Sequence, residues 1–491
     1  MTDLQPVPSD TGSKKSFGRD VGKLVSGTVI AQVVGICLTP VITYIFSPEI
    51  YGVASTFISI VSIIAVIACM RYELAILLPK DNTDAGAVFL ACLIILVCMS
   101  LLSIFVMFFF GDSIAGLLNQ PTLAQYLFLI PVAVIIDGLY TILRYWNTRR
   151  TRFGTQAATQ ALQSSSASGL KLGFGILGFV NAGSLIVGQI LGQGIGTLIL
   201  LYQVVKFDAG IFRASCSLKN IRVQIIRYKK FPMIDSWSAV LNTLSGVLPV
   251  FLLSIYFSPA AVGLYTLGYQ ILIIPMALIG GSISQVFFQR ASIAKHNNTL
   301  PSLVENVLAV LTSISIVPFS IFAVTGGVLF SVVFGAEWYE AGIYAQILTA
   351  WIFLVFITSP ISPIVSIMEI QEFGLKMNII SIVLRLISLI IGGVLGSVYL
   401  SLVLFMVSGV LLVGYSNYYF VKYSGGHFRE IFSKAKKNIF LSGVFALMFL
   451  VMVYFAVSSW IILIAAGIIL VSYEIHLFKT DKNVKEMLVS S

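Results

Sequence analysis

Fourteen apolar runs, each about 20 residues or longer, alternate with short polar turns along this chain: 22–46, 53–78, 84–110, 123–146, 155–179, 184–205, 233–257, 261–288, 302–334, 341–368, 375–396, 398–421, 438–457 and 460–478. A helix that crosses the hydrocarbon of a bilayer needs about 20 such residues, so the pattern predicts an all-α integral membrane protein with about 14 transmembrane helices. The pattern also repeats. IFSPEIYGVAST at 45–56 returns as YFSPAAVGLYTL at 256–267, each copy closing one apolar run and opening the next. FFGDSIAG at 109–116 is answered by VFGAEWYEAG at 333–342, and Phe153-Gly154 by Phe373-Gly374. Such doubling is how many secondary transporters are built. It predicts two pseudo-symmetric six-helix lobes, 22–205 and 233–421, joined by a cytoplasmic linker at 206–232. A loop at 422–437 then leads to a C-terminal helix pair at 438–478, with tails at 1–21 and 479–491.

Composition agrees with lipid as the main solvent, since 58% of residues are hydrophobic and only 10% charged. The first residues are polar and carry Lys14, Lys15 and Arg19 ahead of a full-length run, so no secretory leader is expected. Placing the N-terminus in the cytoplasm sends Lys80, Arg149, Arg150, Arg152, the stretch 206–230, Arg290, Lys295 and the stretch 422–437 inward. Asp112, Glu337 and Glu340 then face outward. The net charge of +10 is therefore read as positive-inside bias with both termini cytoplasmic, and not as a nucleic-acid surface. The basic run 222–230 suits contact with anionic membrane lipids. Outward loops of at most about a dozen residues leave no room for a catalytic module, so the chain is read as a transporter and not an enzyme.

Ionisable residues in mid-span are costly and usually face a cavity. At 100° per residue, Gln156, Gln160, Gln163, Ser164 and Lys171 share one arc of the fifth run. Asn378, Ser381, Arg385 and Ser388 share one face of the eleventh, its counterpart in the second lobe. Two cations, Lys171 and Arg385, are thus expected to look into a central cavity from equivalent helices, at depths differing by about 9 Å. Gln32, beside Thr28, Thr39 and Thr43 in the first run, and Asn242, beside Asp235 and Ser238 in the seventh, extend the polar lining. Pro40 and Pro249 break those two helices and free carbonyls that a cavity can use. Asp137 and Arg144 share a face of the fourth run and, with Glu73 near the inner end of the second, are candidates for coupling. For every one of these residues, a buried interhelical hydrogen bond or salt bridge is the competing account.

Other chemistry is thinly represented. Cys37, Cys69, Cys92, Cys98 and Cys216 form no CxxC pair, and His296, His427 and His476 are scattered, so neither a disulfide nor a metal site is expected. Gly173 to Gly178 spells GxGxxG, but inside a span with no strand before it; close helix packing explains it better than a dinucleotide. Gly188, Gly192 and Gly196 make two overlapping GxxxG spacings. There is no Walker A sequence, and no cofactor is expected.

The strings RYELAILLPKD (71–81), LIPVAVIIDGLYTILRYWNTRRTRF (129–153), KKFPM (229–233), FSPAAVGLY (257–265) and VFGAEWYEAG (333–342) together resemble the bacterial O-antigen and polysaccharide flippases. That family belongs to the multidrug/oligosaccharidyl-lipid/polysaccharide exporter superfamily, which also holds drug extruders and lipid II flippases. The resemblance implies a two-lobed helical fold in the cytoplasmic membrane that opens alternately to either side. Its cargo would be a polyprenyl-diphosphate-linked oligosaccharide of O-antigen, capsule or exopolysaccharide synthesis, and a polysaccharide polymerase a possible partner. It also implies that Lys171 and Arg385 are the cavity cations that meet diphosphate or acidic sugars. The helix pair after Val421 departs from the usual twelve and resembles the lipid II flippases. An antiporter of drugs or organic cations is the alternative, for which an excess of cavity acids would be expected.

Overall fold

The computed structural model describes residues 32–481 together with Val484 and Lys485. The tail 1–21, Thr28 and most of the last ten residues lie outside the described residues. Among those described, every regular element is a helix. Eleven helices are long and apolar enough to cross a membrane, and twelve if α5 (Pro121–Leu127) and α6 (Ile130–Arg149), bent by 57°, form one span. The expected count of fourteen is therefore not reached on length and composition. Two runs make the difference. The described part of the first, α1 (Gln32–Ile45), is short. The fifth, α7 (Phe153–Ile176), has 24 residues but carries three glutamines and consecutive serines on its polar arc. Large side chains such as Phe108, Ile176 and Tyr454 stand mostly exposed, which water would penalise and hydrocarbon does not. This is a multi-pass membrane protein.

The chain falls into two compact units: one of residues up to Phe46 with Val53–Val247, the other of Ser47–Gly52 with Leu248–Ser491. In the first, α2 (Pro48–Ile67) ends where Met70 and Arg71 both take left-handed φ, at 49° and 61°, before the single turn α3 (Tyr72–Ala75). Left-handed backbone costs a residue with a Cβ about 1–2 kcal/mol. Contacts on either side hold it there: Arg71 Nε lies 2.9 Å from Asp235 Oδ2, and Tyr72 donates to the Ile225 carbonyl at 3.0 Å. Two long helices, α4 (Asn82–Leu117) and α8 (Ala182–Ser215), frame the unit.

The segment 206–232, expected as the linker, is largely helical. α8 runs on to Ser215, and α9 (Leu218–Arg227) follows. α9 lays Ile221 and Ile225 against Ala87, Leu90 and Ala91 of α4 and leaves Lys219, Arg222 and Arg227 exposed. Its amphipathic pattern, one apolar ridge among basic residues, is what lets it dock there. A π-turn at Phe231–Asp235 then opens α10 (Ser236–Tyr256).

The second unit runs through α11 (Pro259–Pro275), α12 (Gly281–His296), α13 (Leu300–Phe334), α14 (Tyr339–Thr358), the turn α15 (Ile364–Ile367), α16 (Gln371–Val394) and α17 (Val398–Tyr423). Its apolar core gathers Trp338, Leu348, Trp351, Phe330 and Phe405. The final pair, α18 (Phe428–Tyr454) and α19 (Ser459–Thr480), packs on α13 through Phe449, Ile462 and Ala466, and Tyr473 donates to the Ser313 carbonyl at 2.6 Å.

Equivalent places in the two units are built alike. α7 stops at Gly178 (φ 89°) and α16 at Gly396 (φ 68°), each a conformation that glycine reaches without a Cβ penalty. The next helix is capped in both cases, by Asn181 accepting from the Ser184 amide and by Ser397 accepting from the Leu400 amide. The glycine spacings do what their sequence suggests. Gly188, Gly192 and Gly196 of α8 lie against Lys171, Ala167 and Gln163 of α7, where a Cβ would collide. The GxGxxG run is more mixed: Gly175 packs on Ile45, Gly173 faces open space and Gly178 ends the helix.

Candidate functional site

The residues of the polar arc of α7 lie within the first unit. Gln156 is buried and donates to the Arg144 carbonyl at 3.2 Å and to Thr148 Oγ1 at 3.0 Å. Gln160 is half-buried. Gln163 lies across Gly196 and donates to the Gln193 carbonyl at 3.2 Å. Lys171 rests its methylene stem on Gly188 and donates from Nζ to Gln189 Oε1 at 2.7 Å. That partner is a neutral amide, and among the described residues Lys171 makes no ion pair. Its charge is therefore solvated by a dipole but not cancelled.

Asp137 on α6 accepts a hydrogen bond from Gln193 Nε2. The same Gln193 thus joins α6, α7 and α8, with its side chain on Asp137 and its carbonyl on Gln163 and Thr197. Arg144, on the Asp137 face of α6, is exposed, with its guanidinium 5.5 Å from the Tyr145 ring. Glu73 is 4% exposed; Arg71 Nη1 sits 3.5 Å from its Oε1, while its Oε2 has no hydrogen-bond partner among the described residues. Gln32 is half-buried on α1 and its Oε1 is likewise unpartnered among the described residues, whereas Asn242 on α10 is exposed.

In the second unit Arg385 is half-buried on α16, with its guanidinium carbon 5.5 Å from the Trp351 ring and 5.8 Å from Phe405. Both rings are more than nine-tenths buried. A guanidinium over desolvated aromatic faces gains cation–π attraction of about 1–2 kcal/mol, and its planar edge can still direct N–H groups elsewhere. Asn378 is exposed two turns earlier, and Ser388 donates to the Leu404 carbonyl at 3.2 Å. A cleft between α12 and α13, lined by Arg290, Asn297 and Asn306, contains none of the predicted residues.

Several participants were not singled out from sequence. Gln189 and Gln193 sit beside the GxxxG glycines, a hint that an amide there meets the facing helix. Asp208 is fully buried, ion-paired to Arg152 at 2.7 Å and Arg150 at 3.2 Å, and accepts from the Trp146 indole at 3.0 Å. Two of the presumed loop cations are thus tied into a buried network. Arg149 donates to the carbonyls of Ile76, Pro79, Lys80 and Asp81 and fixes the turn after α3. An acid within the apolar stretch VVKFDAGIF was the one signal available for Asp208.

The fold is similar to that of the lipid II flippase MurJ in its inward closed conformation, with TM-score 0.69, 13% identity, and coverage of 92% of this chain and 98% of that one. In sequence, the chain is similar to the succinoglycan biosynthesis transport protein ExoT of Rhizobium meliloti (strain 1021), 24% identical over 336 residues. That match takes in 67% of this chain and spans 64% of the relative's length. Residues 41–343, more than half of the chain, match the family described as polysaccharide biosynthesis protein. Because that match covers more than half of its length, the chain belongs to the polysaccharide biosynthesis protein family.

Proposed function

We propose that this protein is a flippase that carries a polyprenyl-diphosphate-linked oligosaccharide across the cytoplasmic membrane by alternating access. The two repeats act as lobes, both termini face the cytoplasm, and fourteen spans include α1 and α7. One observation carries the reading: equivalent helices, α7 and α16, each carry a cation, Lys171 against an amide five residues before the end of α7 and Arg385 against aromatic faces near the middle of α16. A diphosphate leaving water needs opposite charge to replace its hydration, and Lys or Arg supplies it. The glutamines of the α7 arc, with Gln32, Asn242 and Asn378, offer donors and acceptors to sugar hydroxyls.

In a strain lacking the gene, lipid-linked oligosaccharide is expected to accumulate on the inner leaflet while surface glycan falls, and a plasmid copy restores both. Unchanged surface glycan together with an unchanged leaflet distribution would overturn the reading.

Asp137 favours a second reading, since an acid held by a neutral amide suits a cation or a proton. We assign it to coupling: its charge changes as the lobes exchange states. Asp137→Asn should lower glycan export about tenfold, the scale of one lost charge-assisted contact, at unchanged membrane level. Normal export by that variant leaves Asp137 as a structural partner of Gln193. Export of organic cations that depends on Asp137, with glycan unaffected, selects the antiporter.

A further inference from the structure

On the same hairpin as Arg385 lies an aromatic array that the cation site does not use. Tyr415, Tyr419 and Tyr423 recur every fourth residue and so line one face of α17. Phe373, in the first turn of α16, stacks on Tyr419 with centroids 3.8 Å apart and planes 6° apart. Tyr419 stacks in turn on Tyr423 at 4.5 Å and 29°, while Tyr415 stands 6.1 Å from Phe373 and 6.4 Å from Tyr419. The middle of the array is half-buried, but Tyr415 is 50% and Tyr423 46% exposed. Exposed Lys376 and Lys422 flank it.

We propose that this array is a carbohydrate-stacking platform, on which Tyr415 and Tyr423 take the flat C–H faces of sugar rings while Tyr419 and Phe373 hold those two rings in place. The face of an aromatic ring is electronegative. A pyranose with equatorial hydroxyls presents C–H groups above and below its ring and O–H groups around its rim, so ring-on-ring stacking leaves the hydroxyls free for the neighbouring polar residues. Each such contact is weak, which suits a cargo that must slide on. Arg385 lies twelve residues beyond Phe373 on α16, about 18 Å along the helix and about 120° around it, and both meet α17, Arg385 at Phe405 and Phe373 at Tyr419, so a diphosphate at Arg385 would leave a few sugar units to reach the tyrosines. The charge distribution puts this end of the hairpin in the cytoplasm, where the cargo is loaded.

Tyrosine is also common at the membrane interface, where its hydroxyl reaches the headgroups and its ring the acyl chains. That role asks for tyrosines dispersed around the rim. Here four rings are gathered across two helices, nearly co-facial in their centre.

The inference rests on the glycan-cargo reading, and its test separates the two. In a strain lacking the gene, surface glycan and membrane level are measured for Tyr415→Phe with Tyr423→Phe, which keeps both rings, and for Tyr415→Leu with Tyr423→Leu, which keeps only apolar bulk. The phenylalanine pair is expected to export within about twofold of wild type, and the leucine pair about tenfold less, the scale of lost aromatic stacking. If the leucine pair lowers membrane level, Tyr423→Leu alone is read instead, because it leaves the Phe373–Tyr419 stack intact. Leucine variants that export like wild type, or phenylalanine variants that fail equally, overturn the platform. The flippase reading is judged apart, on the cation variants in the same strain.

Discussion

Adding a single methyl group at Gly52 is expected to lower the membrane level of the protein several-fold and its melting temperature in detergent by about 2–4 °C or more. Gly52 and Gly263 are the glycines of the two SPxxxG copies, and both lie in the second unit. A Cβ on Gly52 would fall inside the Pro259 carbonyl oxygen, and one on Gly263 inside the Pro48 carbonyl oxygen. The opposing backbone nitrogens would stand only 3.0 and 2.9 Å from those added carbons. Every atom met is main chain, so no rotamer can give way and the two helix starts must move apart. Overpacking typically costs about 1–3 kcal/mol, a large fraction of the few kcal/mol that separate most folded proteins from unfolding. Gly443→Ala is the control, because an added Cβ on α18 meets nothing within 4 Å. Wild-type melting and abundance for both Gly52→Ala and Gly263→Ala would mean that close approach is not what these glycines serve.

Loss of both central cations is expected to stop glycan export while leaving protein in the membrane. On the proposed reading, Lys171→Ala and Arg385→Ala each remove one cationic partner of a diphosphate, a change of about 2–5 kcal/mol in buried charge pairs; export should fall at least tenfold for each and further for the pair. The settings of the two residues refine the choice of variants. The Lys171 stem lies on Gly188, so alanine removes packing as well as charge; Lys171→Met keeps the stem and isolates the charge. Lys171→Arg must fit a wider head beside Gln189, and Arg385→Lys gives up the planar stacking on Trp351 and Phe405 that a guanidinium provides. Both charge-keeping changes should retain part of the function. Recovery of surface glycan in the deletion strain, with membrane level beside it, is the measurement. Full recovery by the double alanine variant would remove the central-cation mechanism.

Hydropathy located the helices because burial in lipid is a property of each segment on its own, and among the described residues every predicted run coincides with a helix or a pair of helices. α7 shows where that signal fails: its glutamines and serines lower its apolarity, and only their angular spacing marks it as one wet face. Partner choice was not legible. Gln193 reaching Asp137 spans 56 positions, and Arg152 reaching Asp208 also spans 56; nothing local in the chain encodes such meetings. Arg385 was read as facing a cavity because charge in mid-span implies water, yet its nearest neighbours include two aromatic faces. Glycine spacing was the exception among long-range signals, since a missing side chain announces the close approach of another backbone.

The paired SPxxxG contact has a bearing on the history of the chain. Gly52 meets the Pro259 carbonyl as Gly263 meets the Pro48 carbonyl, so the same patch serves both sides, which is the signature of an isologous interface between identical subunits. Two copies of one half-length polypeptide related by a twofold axis would need no other residues to make it. Within one chain neither copy has to match itself: the residues between the shared proline and glycine are EIY in one copy and AAV in the other. The serine, proline and glycine are the same in both copies, and the three residues between proline and glycine all differ.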